Sequence, residues 1–201
     1  MLILADIRNA YIGLLAATFK ERTVIEFSVD DYNITVYVGQ VPDIIDHYKK
    51  HSKFIDDKDL KNEGTEVYVI ISKGFLNPDN SIIAFKSDPI GYAGFRPGLH
   101  YEKESDTLFI GAGRIVKTYR ISDNRIIFEK NHGMGFWGWT KHSNFIIQQE
   151  ETDLGIFNLK GEQLWETFVS PPYNFKVVGD NIILEFDDII EKRNLLTGVR
   201  S

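Results

Sequence analysis

The residues best suited to hold a ligand are concentrated in His132-Gly133-Met134-Gly135-Phe136-Trp137-Gly138-Trp139, followed by His142. Three large rings among glycines offer flat faces for a sugar ring, a proline-rich peptide or a planar metabolite. In an extended strand Trp137 and Trp139 share one side and Phe136 takes the other. The competing reading places both indoles between adjacent sheets, with the glycines admitting close backbone approach. A second aromatic group runs from Gly91 to Tyr101, where Tyr92 can stack and Arg96 can grip a carboxylate or phosphate through paired hydrogen bonds. The same arginine can instead stack on a ring at a strand junction. Tyr173 is a further stacking platform, so the expected binding residues are Trp137, Trp139, Phe136, His132, Tyr92, Arg96 and Tyr173.

Other constellations carry less. His47 and His51 stand four apart behind Asp43, a spacing that brings ligands to one side of a helix, but the His-Glu-x-x-His arrangement is absent. Carboxylates gather at Glu150, Glu151 and Asp153 and again at Glu185, Asp187 and Asp188, either to share a proton or a hard cation or to solvate strand ends. There is no Gly-x-Ser-x-Gly elbow, phosphate loop or dinucleotide fingerprint, and Gly111-Ala112-Gly113 is only a fragment of the last. No catalytic residue, metal ligand or cofactor is expected.

Composition narrows the classes further. With 29 acidic against 23 basic side chains the net charge is −6, so nucleic acid and anionic membranes are poor partners. Cysteine is absent, which excludes disulfides and thiolate chemistry and fits the cytoplasm. Asp6 and Arg8 interrupt the apolar start before signal-peptide length, and the apolar run from Tyr11 to Phe19 is too short to span a bilayer.

The elements that must position these residues are mostly strands. Short segments rich in Val, Ile, Phe and Tyr alternate with Gly, Pro, Asn and Asp from residue 23 onward. Thr23–Val29 and Asn33–Val38 read as a hairpin, and Glu66–Ser72 and Ser81–Phe85 flank a turn at Asn77–Asn80. One helix is predicted from Val41 to about His51, opened by Pro42 and carrying Val41, Ile44, Ile45 and Tyr48 on one face. The charged stretch from Lys49 to Gly64 reads as a mobile excursion or a domain boundary. This divides the chain into residues 1–66, with strands, a short helix and a charged loop, and residues 67–201, a repeated region, the two forming one domain or two.

Three segments of the C-terminal half align with one another: Thr107–Phe128, Asn144–Trp165 and Asn181–Gly198. Leu108, Phe145 and Ile182 recur at intervals of 37 (145 minus 108, 182 minus 145), as do Phe128 and Trp165. Each unit reads strand, strand, polar turn, strand, and must stack on neighbours to bury its inner face. On these residues the segment from 107 to 201 resembles blades of quinoprotein-type β-propellers, and the aromatic stretches around Trp137 and Trp165 look like those of uncharacterised bacterial proteins. The resemblance implies a mainly β chain of repeated meander units, built as a small or incomplete propeller or as a sandwich. It brings no quinone or calcium site. The expected role is a non-enzymatic module binding another protein, in one version an immunity-type protein neutralising a basic toxin. The alternatives are a domain for a small ligand or glycan, and a hydrolase using Glu150, Glu185, His132 or His142. A dimer is compatible with exposed sheet edges.

Overall fold

The computed structural model describes residues 11–12, 23–73, 79–88, 97–131 and 135–201. After a two-residue β1 (Tyr11–Ile12), the first sheet is a meander of β2 (Thr23–Val29), β3 (Tyr32–Val38), β5 (Thr65–Lys73) and β6 (Asp79–Ser87). Alternating Ile34, Val36 and Val38 turn one side of β3 into the core, and Asp30 takes a left-handed turn that closes β2 onto β3. The helix, α1 (Ile45–His51), is shorter than its periodicity predicts. It lays Ile45 and Tyr48 on Tyr68, Ile82 and Ala84 and leaves Val41 and Ile44 exposed.

The charged stretch after the helix is no excursion. It forms β4 (Ser52–Asp59), parallel to β6, so the first sheet has the order β2-β3-β5-β6-β4. That sheet runs through position 66, which lies inside β5.

Three more sheets follow in chain order. The second joins β7 (Gly98–Glu102), β8 (Thr107–Ala112), β9 (Ile115–Arg120) and β10 (Arg125–Lys130), with β1 on the outside of β7. The third is β11 (Phe136–His142), β12 (Phe145–Glu150), β13 (Asp153–Asn158) and β14 (Gln163–Phe168). The fourth is β15 (Asn174–Val178), β16 (Asn181–Phe186) and β17 (Ile189–Asn194). Each is an antiparallel meander, as the repeats require.

Consecutive sheets stack through apolar seams. Leu108, Ile110 and Tyr119 meet Ile34, Val36 and Phe85 between the first and second sheets. Phe109 and Val116, from the opposite side of the second sheet, meet Trp139, Ile146 and Phe157 of the third. Ile147, Leu154 and Ile156 then meet Ile182 and Leu184 of the fourth. Strand alternation thus lets the second and third sheets bury both faces.

Asparagine turns repeat with the sheets. Asn158 Oδ1 accepts the backbone N–H groups of Lys160 and Glu162, and Asn194 Oδ1 accepts those of Leu196 and Thr197. Gly161 and Gly198 follow with positive φ and press against Thr118 and Trp165 of the preceding sheet. The stack ends differently at its two sides. The helix covers the first sheet, whereas the outer side of the fourth mixes Asn174, Lys176, Asn181, Glu185 and Lys192 with the exposed Val178 and Ile190, and Lys176 donates to Glu185 at 2.9 Å.

Candidate functional site

Two lysines are buried in the seams, one on each side of the second sheet. Lys117 lies mid-strand in β9, where alternation turns it toward the first sheet while Val116 and Thr118 face the third. Its Nζ is 2.6 Å from Asp56, 2.7 Å from Asp59 and 3.2 Å from Glu129. Burial alone would lower the Lys117 pKa, but the hydrogen bonds to Asp56 and Asp59 outweigh it and the pKa is raised. Burial likewise pulls Asp59 upward and the ammonium overcomes it, holding the carboxyl below its usual value. Asp56 and Asp59 come from the charged stretch, whose pairing with β6 brings them to Lys117, and Glu129 comes from β10.

Lys130, at the end of β10, reaches the other way into the third sheet. It donates to Glu150 at 2.8 Å and bonds Glu166, with Asp153 at 4.0 Å. Gln148 donates its amide to Glu150. Burial, helped by the charges of Glu166 and Asp153, raises the Glu150 pKa against the pull of Lys130. Oxygens of Glu150, Asp153 and Glu166 lie within 4.8 Å of one another, a spacing suited to a hard cation. The Lys130 ammonium stands among them as their counter-ion, leaving three carboxylates against one cation.

This cluster opens to solvent at one end of the third sheet. Glu150 is fully buried, while Asp153 and Glu166 keep about a quarter to a third of their side chains exposed. Phe168 is the register partner of Asp153 and is 65% exposed. Tyr173, buried, donates its hydroxyl to the Glu150 carbonyl at 2.8 Å. Trp137 stacks on the Tyr173 ring with centroids 5.4 Å apart and planes 11° from parallel, yet remains 42% exposed. Burial pushes the Tyr173 phenol well up, so it stays a neutral donor.

The aromatic stretch divides differently from its sequence pattern. Phe136 pairs with Glu150 and Gly138 with Gln149, so Trp137 is the extra residue of a β-bulge. Phe136 and Trp139 consequently share the core side, both essentially unexposed, and Trp137 faces out alone. Of the other expected binding residues, Tyr173 lies under Trp137, whereas His132, Tyr92 and Arg96 fall outside the described residues. His142 ends β11 and is half-buried, and His47 and His51 are exposed on the helix with ring centroids 4.6 Å apart. Among the described residues the carboxylates around Lys130 are the group that gathers within metal-ligand distance. Glu185, expected to correspond to Glu150, instead lies on the outer side of the fourth sheet against Lys176.

Sequence reasoning passed over Lys117, Lys130, Glu166 and Phe168. The signal for Lys117 was a lysine at an inward position of the apolar run Ile115–Tyr119. Phe168 and Glu166 carried none that distinguishes them from other strand residues.

No protein family's sequence profile matches the chain. No curated protein matches it either. Among solved structures it is similar to the crystal structure of BamB from Moraxella catarrhalis, at 9% identity over 98% of this chain and 78% of that one, with a TM-score of 0.30. No helix among the described residues is long and apolar enough to cross a membrane.

Proposed function

We propose that the protein is a non-enzymatic interaction module that binds a basic protein partner at the exposed end of the third sheet. The observation that carries this reading is Trp137, 42% exposed while held flat on Tyr173, whose hydroxyl is tied to the Glu150 carbonyl. A large ring fixed before binding loses little entropy when a partner covers it, and such rings dominate interface energies. Phe168, 65% exposed at the same end of the sheet, adds a second apolar side chain, and the unbalanced carboxylates steer a cationic partner. An immunity-type protein that neutralises a basic toxin is one concrete version. The absence of cysteine fits a reducing compartment such as the cytoplasm. Quinoprotein-type blades would supply only the stacking unit.

The test is affinity capture from the native cell with the wild-type chain and a Trp137→Ala/Phe168→Ala variant. The expected result is a stoichiometric basic protein retained by the first and lost by the second. Failure to retain any such protein, or equal retention by the folded variant, overturns the reading. The exposed face of the Trp137 indole also favours a second reading, a glycan or small-ligand site. In that case Trp137 fluorescence changes saturably with a sugar in a glycan panel.

A further inference from the structure

The charged side of the third sheet has a gap at Gly155. This glycine pairs with Gln148 on one neighbouring strand and with Glu166 on the other. Two residues further along the same strands, Glu150 and Asp153 point to the same side. That side faces the second sheet, as Ile146 and Phe157 show by packing on Phe109 and Val116. A side chain at position 155 would stand between Gln148 and Glu166, and the glycine leaves that space open.

An unpaired buried oxygen points into the gap. Gln148 is fully buried, and its Oε1 has no hydrogen-bond partner. The oxygen lies 3.0 Å from where a β-carbon on Gly155 would stand. Its orientation is fixed, because the amide nitrogen of Gln148 donates to Glu150 and the reversed amide would set two oxygens against each other. A buried carbonyl oxygen left without a donor costs free energy, which a cation at this place would return. Gln163 Nε2, also without a partner, lies 3.3 Å from the same point and can donate to a water held by that cation.

The charge has the matching sign and size. Glu150, Asp153 and Glu166 bring three carboxylates, and Lys130 is the ammonium that meets them among the described residues. Counting that lysine as fully engaged, two negative charges remain, which one divalent ion balances. The ammonium sits off-centre, 2.8 Å from Glu150 and bonded to Glu166 but 4.0 Å from Asp153. The carboxylate oxygens lie within 4.8 Å of one another. A calcium ion, at about 2.3–2.6 Å from each ligand, spans oxygens up to about 5 Å apart, whereas magnesium, at about 2.0–2.1 Å, spans only about 4 Å.

The geometry points to a binding site for a calcium-sized divalent cation over Gly155, held by Glu150, Asp153, Glu166 and the Gln148 side-chain oxygen. The ion competes with the Lys130 ammonium for Glu150 and Glu166, and water completes its shell. The same carboxylates steer the proposed protein partner, so the ion is tested on the isolated chain, where its binding or failure stands apart from the partner's.

The experiment is equilibrium dialysis of the full chain against radioactive calcium in about 0.1 M sodium chloride, with magnesium as competitor. The expected result is one calcium per chain with a Kd below about 1 mM, the weak end for protein calcium sites. Asp153→Asn/Glu166→Gln, at two partly exposed positions, should weaken binding at least about tenfold, and Gln148→Met should weaken it by removing the carbonyl ligand. Lys130→Met should tighten it, because the competing ammonium is gone. Glu185→Gln, on the outer side of the fourth sheet, should leave it unchanged. Less than one ion bound per chain at 1 mM free calcium overturns the proposal, as does equal affinity in Asp153→Asn/Glu166→Gln. So does magnesium competing as strongly as calcium itself, or a Lys130→Met chain that is folded by circular dichroism and binds calcium no more tightly.

Discussion

The ring of Phe136 occupies the space where a β-carbon on Gly111 would stand, with ring carbons 2.4 Å from that position. Gly111 pairs across the ladder with Gly98, whose own β-carbon would meet the same ring at 2.9 Å. Two glycines side by side therefore cut a slot in the second sheet, and the first residue of the third sheet's β11 fills it. Gly111→Ala should cost about 1–3 kcal/mol, the usual range for overpacking a filled core. Phe136→Leu in the same chain should recover part of that loss, giving a non-zero coupling in a double-mutant cycle read by urea unfolding. Additive losses would mean that the ring and the glycine do not share the space.

The seam on the other side of the second sheet rests on charge. Lys117→Met leaves Asp56 and Asp59 buried without their cation and should cost about 3–5 kcal/mol. Adding Asp56→Leu and Asp59→Leu should restore most of it, because an apolar seam has no charge to compensate. The pH dependence follows from the two shifts. Asp59 is depressed below its usual 3.8, so its contribution is present above that value and lost as pH falls through the folded value. Lys117 is raised above 10.5, so its contribution is present below that value and lost as pH rises through the folded one. A triple variant as acid-sensitive as the wild type would show that the seam is not what acid disrupts.

These two seams also show where the sequence was legible. Strands and turns could be read because alternation, Gly and Asn act over a few residues. The repeat could be read too, but its register slipped by one in the middle unit. Leu108 and Ile182 face the preceding sheet, whereas Phe145 packs toward the following one and Ile146 takes the equivalent place. The strands β8, β12 and β16 begin at 107, 145 and 181, intervals of 38 and 36 (145 minus 107, 181 minus 145), so equal spacing in number is not equal position in the ladder. In a strand one residue exchanges faces. Pairings across sheets were not legible. Asp56 meets Lys117 from 61 residues away, so its stretch looked like a charged loop. For the candidate site, residue type pointed to Trp137 and Tyr173, but the bulge that exposes Trp137 and buries Trp139 is set by pairing with β12.

A buried imidazole should give the protein a second pH limb. His100 is essentially unexposed and neither ring nitrogen has a hydrogen-bond partner. It packs on Phe109 of β8, its register partner is Tyr11 of β1, and Glu102 lies 3.7 Å away, bound in turn by Lys141 of β11. Burial holds its pKa below 6.5, with Lys141 adding to the effect and Glu102 opposing it. Above 6.5 the folded and unfolded chains are both neutral at this site. Below it, the unfolded chain takes up a proton that the folded chain resists, so stability falls with pH until the folded value is reached. His100→Gln should remove this limb from the urea midpoints measured below about pH 6.5. An unchanged slope in the variant would assign the limb to other groups.

The two indoles of β11 should behave as opposites. Trp139 touches Phe109, Phe136 and Phe157 within ring-centroid distances of 5.3 to 5.7 Å, so Trp139→Ala should cost about 3–5 kcal/mol through the cavity it leaves. Trp137 has Tyr173 on one face and solvent on the other, and Trp137→Ala should cost no more than about 1.5 kcal/mol, the upper range of an aromatic pair. Fluorescence separates them without unfolding. Trp165 is tied by its indole N–H to the Leu195 carbonyl at 2.7 Å and shielded by Gly198. Acrylamide should therefore quench Trp137 most strongly, and Trp137→Phe should remove most of the readily quenched emission. Quenching that survives this substitution would place an exposed indole elsewhere and take away the ring on which the partner surface is built.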